Sequence, residues 1–327
     1  MKKKLNSCLI IFTVFALSSC VNNTNPQQLS PQKITETDQN DVDVVKDVSI
    51  ENSPSKVMSP PMPENLDFAG ELVNTKDWDV RERLDYELTV NMYYHSKMQF
   101  YLKRAHRWFP VIEPILKEQG LPDDFKYLAV IESALSQAVS PSGAKGFWQF
   151  MPATGKEYGM LINGQIDERY HVVKSTYAAC EYLKKAHKKF GNWISAAASY
   201  NMGKTGLANR MAAQYSENYF DLRLNNETAR YIFRLLAIKT IMKNPTSYGF
   251  HLDESSLYPV YETKSVQVDS TITDLAFWAK EQGVNYKLVK KLNPWILGNS
   301  LPSVSSRKFE ILLPKGSISL KPMNKYE

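Results

Sequence analysis

One acid residue stands where proton-transfer chemistry is possible. Phe125, Leu128, Ala129 and Glu132 are separated by three, one and three residues, which places them on one face of a predicted helix. A carboxyl beside hydrocarbon loses more by ionising than one in water, so its pKa rises toward neutrality. Such a group could serve as a general acid. Position alone, however, favours a solvated residue at a helix end.

Four sequence blocks change that balance. They are Glu132-Ser133, the turn from Ser140 through Gly143-Ala144-Lys145-Gly146 to Gln149-Phe150-Met151-Pro152-Ala153-Thr154, Ser199-Tyr200-Asn201-Met202-Gly203, and Glu227-Thr228-Ala229-Arg230-Tyr231-Ile232. Together they resemble the signature of lytic transglycosylases with a lysozyme-like fold, in particular the membrane-bound D-type members. Each motif alone is weak, but four blocks in the expected order over roughly a hundred residues make chance agreement remote.

The resemblance implies a substrate and a mechanism. Members of the family cut peptidoglycan with a single Glu, which protonates the leaving oxygen and then takes a proton from the sugar's own 6-hydroxyl, giving a 1,6-anhydro ring. The resemblance therefore implies that Glu132 is the acid and base and that Ser140 helps hold the N-acetyl group of the substrate. The expected substrate-binding residues are Ser140, Gly143, Gln149, Met151, Tyr200, Asn201 and Tyr231.

Several of these residues also have a purely structural interpretation. Gly143 fits a tight turn as well as a close approach to ligand, and Gln149 could cap that turn rather than bind sugar. Tyr200 could line a sugar groove or pack in the core. Asn201 could bind sugar or brace the loop after Glu132. Glu227, the one further acid within the blocks, is expected to cap or brace a helix.

Other functional classes are disfavoured by the same sequence. Neither a His-Glu-x-x-His metal motif nor a Gly-x-Ser-x-Gly elbow occurs, so we expect no metal site and no cofactor. Basic residues are scattered among acids rather than gathered in a stripe, which argues against nucleic-acid binding. Two alternatives stay open: a hydrolytic muramidase, which would need a second carboxylate, and an inactive peptidoglycan-binding lipoprotein.

The first 65 residues predict a secreted, anchored protein. Residues 1–20 combine three lysines, a short apolar run and the ending Leu17-Ser18-Ser19-Cys20, which resembles a bacterial lipobox. Cys20 is therefore the expected lipidation site. Val21 follows it where Asp would favour the inner membrane, so the prediction is an outer-membrane lipoprotein facing the periplasm. Residues 21–65 are polar, lack apolar periodicity and predict a disordered tether.

The remaining chain predicts a mainly α fold in two parts. Residues 66–256 show helical spacing without convincing strands and are expected to form the lysozyme-like domain. Within it, Pro110 and Pro114 should bracket the entry to a short helix that ends before Gly120. Asp123 and Asp124 should supply the N-cap and first-turn acids of the Glu132 helix.

The C-terminal part changes character. Residues 257–315 predict a strand at Val266 and Val268, two helices, and a closing strand at Phe309–Pro314, followed by a tail over residues 316–327. This small α+β pattern resembles a LysM module, a family that binds glycans containing N-acetylglucosamine. Asp269-Ser270-Thr271-Ile272 stands where the family has Gly-Asp-Ser-Leu, so glycan binding and a structural role both stay open.

Overall fold

A computed structural model describes residues 57–304 and 307–315. In this part of the chain the helices are α1 (Trp78–Tyr93), α2 (His95–Glu118), α3 (Lys126–Ser133), α4 (Pro152–Glu157), α5 (Val172–Phe190), α6 (Trp193–Met202), α7 (Lys204–Gln214), α8 (Asn226–Lys243), α9 (Leu275–Glu281) and α10 (Tyr286–Leu292). The strands are β1 (Asp67–Phe68), β2 (Glu71–Leu72), β3 (Thr263–Val268) and β4 (Phe309–Pro314). The predicted mainly α fold with a small α+β part is confirmed.

The prediction that Pro110 and Pro114 begin a separate short helix is wrong, because both lie inside helix α2. It runs through Pro110 and Pro114 without a break. The two prolines are one turn apart on the exposed face, while Ile112, Ile115 and Leu116 of the same turns are buried. Each proline removes a backbone donor, but carbonyls on that face reach solvent and burial of the opposite face holds the helix.

The start of the Glu132 helix also differs from the prediction. Asp123 and Asp124 lie in a 3-10 turn before α3 and cap no helix amide. The Asp124 carboxylate instead accepts hydrogen bonds from Ala69 N at 2.7 Å and Lys239 Nζ at 2.6 Å. These bonds tie α3 to α8 and to the β1–β2 hairpin, a pair of two-residue strands that the helical spacing did not predict.

The helical core surrounds α3 and α8. Helix α8 begins at an Asn225 cap, where Oδ1 accepts from Thr228 N at 2.9 Å, and most of its residues from Tyr231 to Ile241 are buried. Helix α6 contributes Ala196, Ala197 and Ala198, all fully buried, whose small side chains let α5 and α8 approach closely. The core therefore fixes α3, α6 and α8, which carry three of the four sequence blocks.

The C-terminal part matches its predicted element order. Strands β3 and β4 pair antiparallel, with Val268 opposite Phe309, and α9 and α10 lie between them in sequence. Their apolar side chains form a second core, to which the helical part contributes Ile166. Backbone bonds join the two parts: Asp167 N donates to Trp295 O at 2.9 Å, and Leu297 N donates to Gln165 O at 2.8 Å.

An ion pair strengthens this junction. Arg307 Nη1 lies 3.1 Å from the buried Glu168 carboxylate, and its Nη2 donates to Gly159 O at 3.1 Å. The described residues from 57 to 315 group together as one compact unit. None of the helices described between residues 57 and 315 is long and apolar enough to span a bilayer.

Candidate active site

Glu132 occupies the last turn of α3, immediately before a sharply bent loop. Helix α3 ends at Ser133, whose Oγ donates to Ala129 O at 3.2 Å and Phe147 O at 2.9 Å. The next two residues, Ala134 and Leu135, both have positive φ, at 56° and 52°. Non-glycine residues rarely adopt this conformation. The bend turns the chain away from the helix axis, and the Ser133 bonds fix it in place.

The Glu132 carboxyl is partly buried and contacts one tyrosine directly. Tyr231, on α8, donates its hydroxyl hydrogen to Glu132 Oε1. Burial raises the pKa of Glu132 to about 7, and the nearby Glu227 carboxylate adds to the rise. The Tyr231 hydrogen bond and the positive charge of Arg234 oppose it. At neutral pH the carboxyl therefore exists in both protonation states.

Tyr200 completes the aromatic surroundings of Glu132. Its hydroxyl donates to Trp148 O at 2.8 Å, and its ring packs edge-on against Phe150 and Tyr182. Burial raises the pKa of Tyr200 well above its ordinary value, and the Glu132 carboxylate contributes to this rise. Trp148 itself is fully buried, with Nε1 donating to Thr176 Oγ1 at 2.9 Å. Trp148 is thus part of the core rather than a groove wall.

Asn201 and Glu227 contact each other instead of Glu132. Asn201 Nδ2 donates to Glu227 Oε1 at 3.4 Å, and Asn201 Oδ1 accepts from Thr228 Oγ1 at 3.0 Å. These bonds brace the end of α6 against the first turn of α8. Glu227 is exposed, so it influences Glu132 through its charge, while its own contacts fit the bracing role expected from the sequence.

The Ser140–Met151 loop is held by hydrogen bonds within itself. Ser140 Oγ accepts from Ala144 N at 3.0 Å, which leaves its hydroxyl hydrogen available to a ligand. Gln149, at φ 47°, donates its Nε2 to Gly146 O at 2.7 Å and to Ala138 O at 3.1 Å. Because of these two bonds, the side-chain nitrogen of Gln149 closes the turn. Met151, at the end of the loop, is 42% exposed.

A buried ion pair that the sequence motifs did not indicate clamps this loop. Asp167 and Arg169 are both buried, and Arg169 Nη2 lies 2.7 Å from Asp167 Oδ2. Arg169 Nη1 donates to Gly143 O at 2.9 Å and to Phe150 O at 3.1 Å. Gly146 lies so close to the Arg169 backbone that a Cβ there would stand 2.0 Å from Arg169 O. The clamp lies outside the four blocks, so nothing in them signalled it.

Comparison with known families matches this architecture. Residues 109–222 match the Transglycosylase SLT domain, and residues 264–317 match the Soluble lytic transglycosylase C-terminal LysM-like domain. The chain thus contains an SLT domain followed by a LysM-like domain, as the sequence blocks predicted. The SLT match includes Glu132 and the 140–151 loop but ends before Tyr231.

Two curated relatives make the resemblance more specific. The chain is homologous to the membrane-bound lytic murein transglycosylase D of Escherichia coli (strain K12), with 31% identity over 208 residues, which is 61% of this chain and 44% of the relative. A putative tributyltin chloride resistance protein of Alteromonas sp. (strain M-1) is 33% identical over 103 residues, 31% of this chain and 50% of the relative. The chain spans about half the length of the curated relatives it matches.

Proposed function

We propose that this protein is a peptidoglycan lytic transglycosylase in which Glu132 is both the acid and the base. The observation that carries the proposal is the Glu132 carboxyl itself: it is partly buried, it accepts a bond from Tyr231, and its pKa is raised to about 7. A carboxyl with that pKa holds a proton at neutral pH yet can release it. The SLT match and the Escherichia coli relative support the reaction class.

The proposed reaction consumes no water. Glu132 donates its proton to the oxygen of the bond between N-acetylmuramic acid and N-acetylglucosamine, and the bond from that oxygen to the anomeric carbon breaks. The 6-hydroxyl oxygen of the same muramoyl unit then bonds to the anomeric carbon and gives its proton to the Glu132 carboxylate. The enzyme returns to its starting state, and the muramoyl product carries a 1,6-anhydro ring.

The other residues have supporting roles in this proposal. Tyr231 orients the Glu132 carboxyl, and Tyr200 and Met151 supply apolar surface to the sugar rings. Ser140 donates its free hydroxyl hydrogen to the substrate N-acetyl oxygen. Open space beside the Gly143 Cα leaves room for the glycan chain. Gln149 and Asn201 hold the loop and the helices that surround Glu132.

A hydrolytic muramidase is the main alternative. It needs a carboxylate that activates water on the face of the sugar opposite the acid. Glu227 is the carboxylate whose charge acts on Glu132, and it is exposed and bound by Asn201. This arrangement favours the transglycosylase over the hydrolase, and the intact Glu132–Tyr231 pair argues against an inactive binding protein.

We also infer a location and an anchor. The name of the Escherichia coli relative describes it as membrane-bound and acting on murein, which supports a place in the cell envelope for this chain. Cys20, the proposed lipidation site, and residues 21–56 of the proposed tether lie outside the described residues. Residues 57–65, which the sequence assigned to the disordered tether, instead pack on the helical domain, where Tyr93 Oη donates to Met58 O at 2.6 Å and Tyr248 Oη donates to Pro61 O at 2.8 Å. The proposed boundary between the domains, near residue 256, is supported by the position of Phe250 in the first hydrophobic core and of Val268 in the second. The LysM-like domain is proposed to help hold the glycan.

Glu132→Gln tests the catalytic assignment. The amide keeps the Tyr231 bond but cannot transfer a proton, so turnover should fall by roughly 10²–10⁴-fold. Glu227→Gln is the matched control and should lose far less. The Glu132 variant should still sediment with insoluble peptidoglycan, because binding does not need the proton. A folded Glu132→Gln protein with near-normal activity contradicts the assignment.

The same variant provides its own check on folding. The pKa of Glu132 in the folded protein, about 7, exceeds the ordinary value of 4.5, so its contribution to stability is full below pH 4.5 and is lost as the pH rises through 7. At pH 8 the wild type carries a buried carboxylate that the variant lacks. Glu132→Gln should therefore raise the free energy of unfolding at pH 8, by up to about 3 kcal/mol, and leave it unchanged at pH 4.

A further inference from the structure

A cavity of about 320 Å³ lies between the SLT domain and the LysM-like domain. Helix α2 contributes Arg104, Arg107 and Trp108 to its wall, and the LysM-like side contributes Tyr261, Lys291 and Trp295. Its volume is in the range of small-molecule sites. Neither Tyr231 nor Tyr200 lines it, so it is separate from the active site proposed at Glu132.

The walls of this junction cavity carry positive charge without a matching acid. Arg104, Arg107 and Lys291 line it, and its lining includes no carboxylate. The Arg104 guanidinium donates to Ala134 O at 3.0 Å, and that of Arg107 donates to Pro259 O and to the Tyr261 hydroxyl, which are neutral acceptors. In the described ranges, none of the three cations lies within salt-bridge distance of an acid. The cavity therefore favours an anion.

One buried polar atom at this cavity has no partner. Gln137 lines the wall and donates its Nε2 to Tyr170 O at 2.9 Å, but its Oε1 is buried and accepts no hydrogen bond from any residue that the structure describes. A buried acceptor left without a donor costs about 1–3 kcal/mol. A ligand with an N–H or O–H group would remove that cost.

Aromatic rings supply the rest of the surface. Trp108 packs edge-on against Phe147 at 4.9 Å between ring centroids, and Trp295 stacks on His171 at 5.8 Å. Burial lowers the pKa of His171 to about 4, so this ring is neutral at physiological pH. Trp295 and Phe147 are themselves almost fully buried, so the partly exposed rings of Trp108 and Tyr261 are the ones that can contact the apolar part of a ligand.

We propose that the junction cavity is a second binding site, for a small N-acylated compound that bears a free carboxylate. The carboxylate faces Arg104, Arg107 and Lys291, the acylated N–H donates to Gln137 Oε1, and the apolar part lies between the aromatic rings. Two components of peptidoglycan share this chemistry: the sugar acid N-acetylmuramic acid and a stem peptide with a free C-terminus.

The site adjoins the loop that follows the proposed catalytic residue. Leu135, Ser136 and Gln137 all line the cavity, and they follow Glu132 by three to five residues. Arg104 lines the cavity, and its guanidinium also donates a hydrogen bond to Ala134 O. A ligand in the cavity would therefore contact the bent segment after α3.

Isothermal titration of the full chain carrying Glu132→Gln tests the site independently of any cleavage. The probes are two acids, N-acetylmuramic acid and N-acetyl-D-alanyl-D-alanine, each with a neutral counterpart, N-acetylglucosamine and the dipeptide amide. At least one acid should bind, and its neutral counterpart should bind at least about tenfold more weakly, because it lacks the charge that the cations attract. The acid that binds identifies the source.

A charge reversal locates the binding. Lys291→Glu places an acid at the cavity wall and should weaken binding by about tenfold. Lys287→Glu is the matched control, since Lys287 lies one turn earlier on α10, is exposed and does not line the cavity. Three results would overturn the proposal: no binding of either acid, equal binding of acid and neutral counterpart, or equal loss in both lysine variants. None of these results bears on the activity proposed at Glu132.

Discussion

The ionisation of Glu132 depends on three side chains of one helix. Glu227, Tyr231 and Arg234 follow one another on α8 at steps of four and three residues, which places them on the face toward Glu132. Burial raises the pKa of the carboxyl, Glu227 raises it further, and Tyr231 and Arg234 lower it. Helix α8 thus adjusts a pKa that burial has already raised.

Tyr231→Phe should move the pH dependence of activity. Removing the hydroxyl removes a bond that lowers the pKa of Glu132, so that pKa rises above about 7 and the alkaline limb of the activity profile moves to higher pH. Activity at the optimum should fall by roughly tenfold, since the carboxyl loses its orienting bond. Rates of peptidoglycan solubilisation between pH 5 and 9 measure both effects.

Tyr200→Phe serves as the control for this measurement. The Tyr200 hydroxyl donates to the Trp148 carbonyl and not to Glu132, so the profile should keep its position even if the rate falls. An unmoved alkaline limb in Tyr231→Phe, or an equal movement in both variants, contradicts the role given to the Tyr231 hydrogen bond.

For the Ser140–Met151 loop, the sequence predicted the tight turn but not the residues that hold it. The glycines at 143 and 146 predicted a tight turn, and both have positive φ, at 85° and 78°. The partner of that turn was not predicted. Arg169 is about 20 residues beyond the turn, and three adjacent charged residues, Asp167-Glu168-Arg169, carry no periodicity that marks them as buried. Only the folded chain shows that Asp167 and Arg169 clamp the loop.

Gly146→Ala tests the closeness of this clamp. A Cβ at 146 would collide with Arg169 O at 2.0 Å, whereas a Cβ at Gly143 meets nothing within 4 Å. Gly146→Ala should therefore lower the free energy of unfolding by about 3 kcal/mol or more. Gly143→Ala, strained only by its φ, should cost about 1 kcal/mol. Chemical denaturation compares them, and equal losses contradict the packing described.

The helix boundaries failed where tertiary contacts outweighed local signals. Proline at 110 and 114 is a strong local break signal, yet α2 continues because its opposite face is buried. Asp123 and Asp124 have the composition of a helix cap, yet Asp124 binds Lys239 from a helix more than a hundred residues away. Neither outcome can be derived from a short stretch of sequence.

At the scale of the whole molecule, the order of the two domains was predictable but their contact was not. Four motif blocks and a strand–helix–helix–strand pattern predicted an SLT domain followed by a LysM-like domain. The burial of Ile166 in the second core and the Arg307–Glu168 pair depend on surfaces that no local pattern describes. The junction cavity follows from that contact.

Cys20→Ser tests the proposed membrane anchor. Without a thiol to acylate, the protein loses the chains that hold it in the bilayer, so it should move from the membrane pellet to the soluble fraction. Cell fractionation with detection of the LysM-like domain measures the shift. Replacement of the leader cysteine, Cys8→Ser, is the control and should leave the protein in the pellet. A Cys20→Ser protein that stays with the membrane contradicts the lipobox assignment.

Mass analysis of the products distinguishes intramolecular cleavage of the glycan bond from hydrolysis. Digestion of purified peptidoglycan should release muropeptides ending in 1,6-anhydro-N-acetylmuramic acid, lighter by one water than hydrolysis products, because the 6-hydroxyl is already placed beside the reacting carbon. Glu132→Gln should release almost none. Reducing N-acetylmuramic acid as the main product would instead show that the enzyme is a hydrolase, and no cleavage at all by the mature protein would contradict the proposed activity and favour the inactive binding protein.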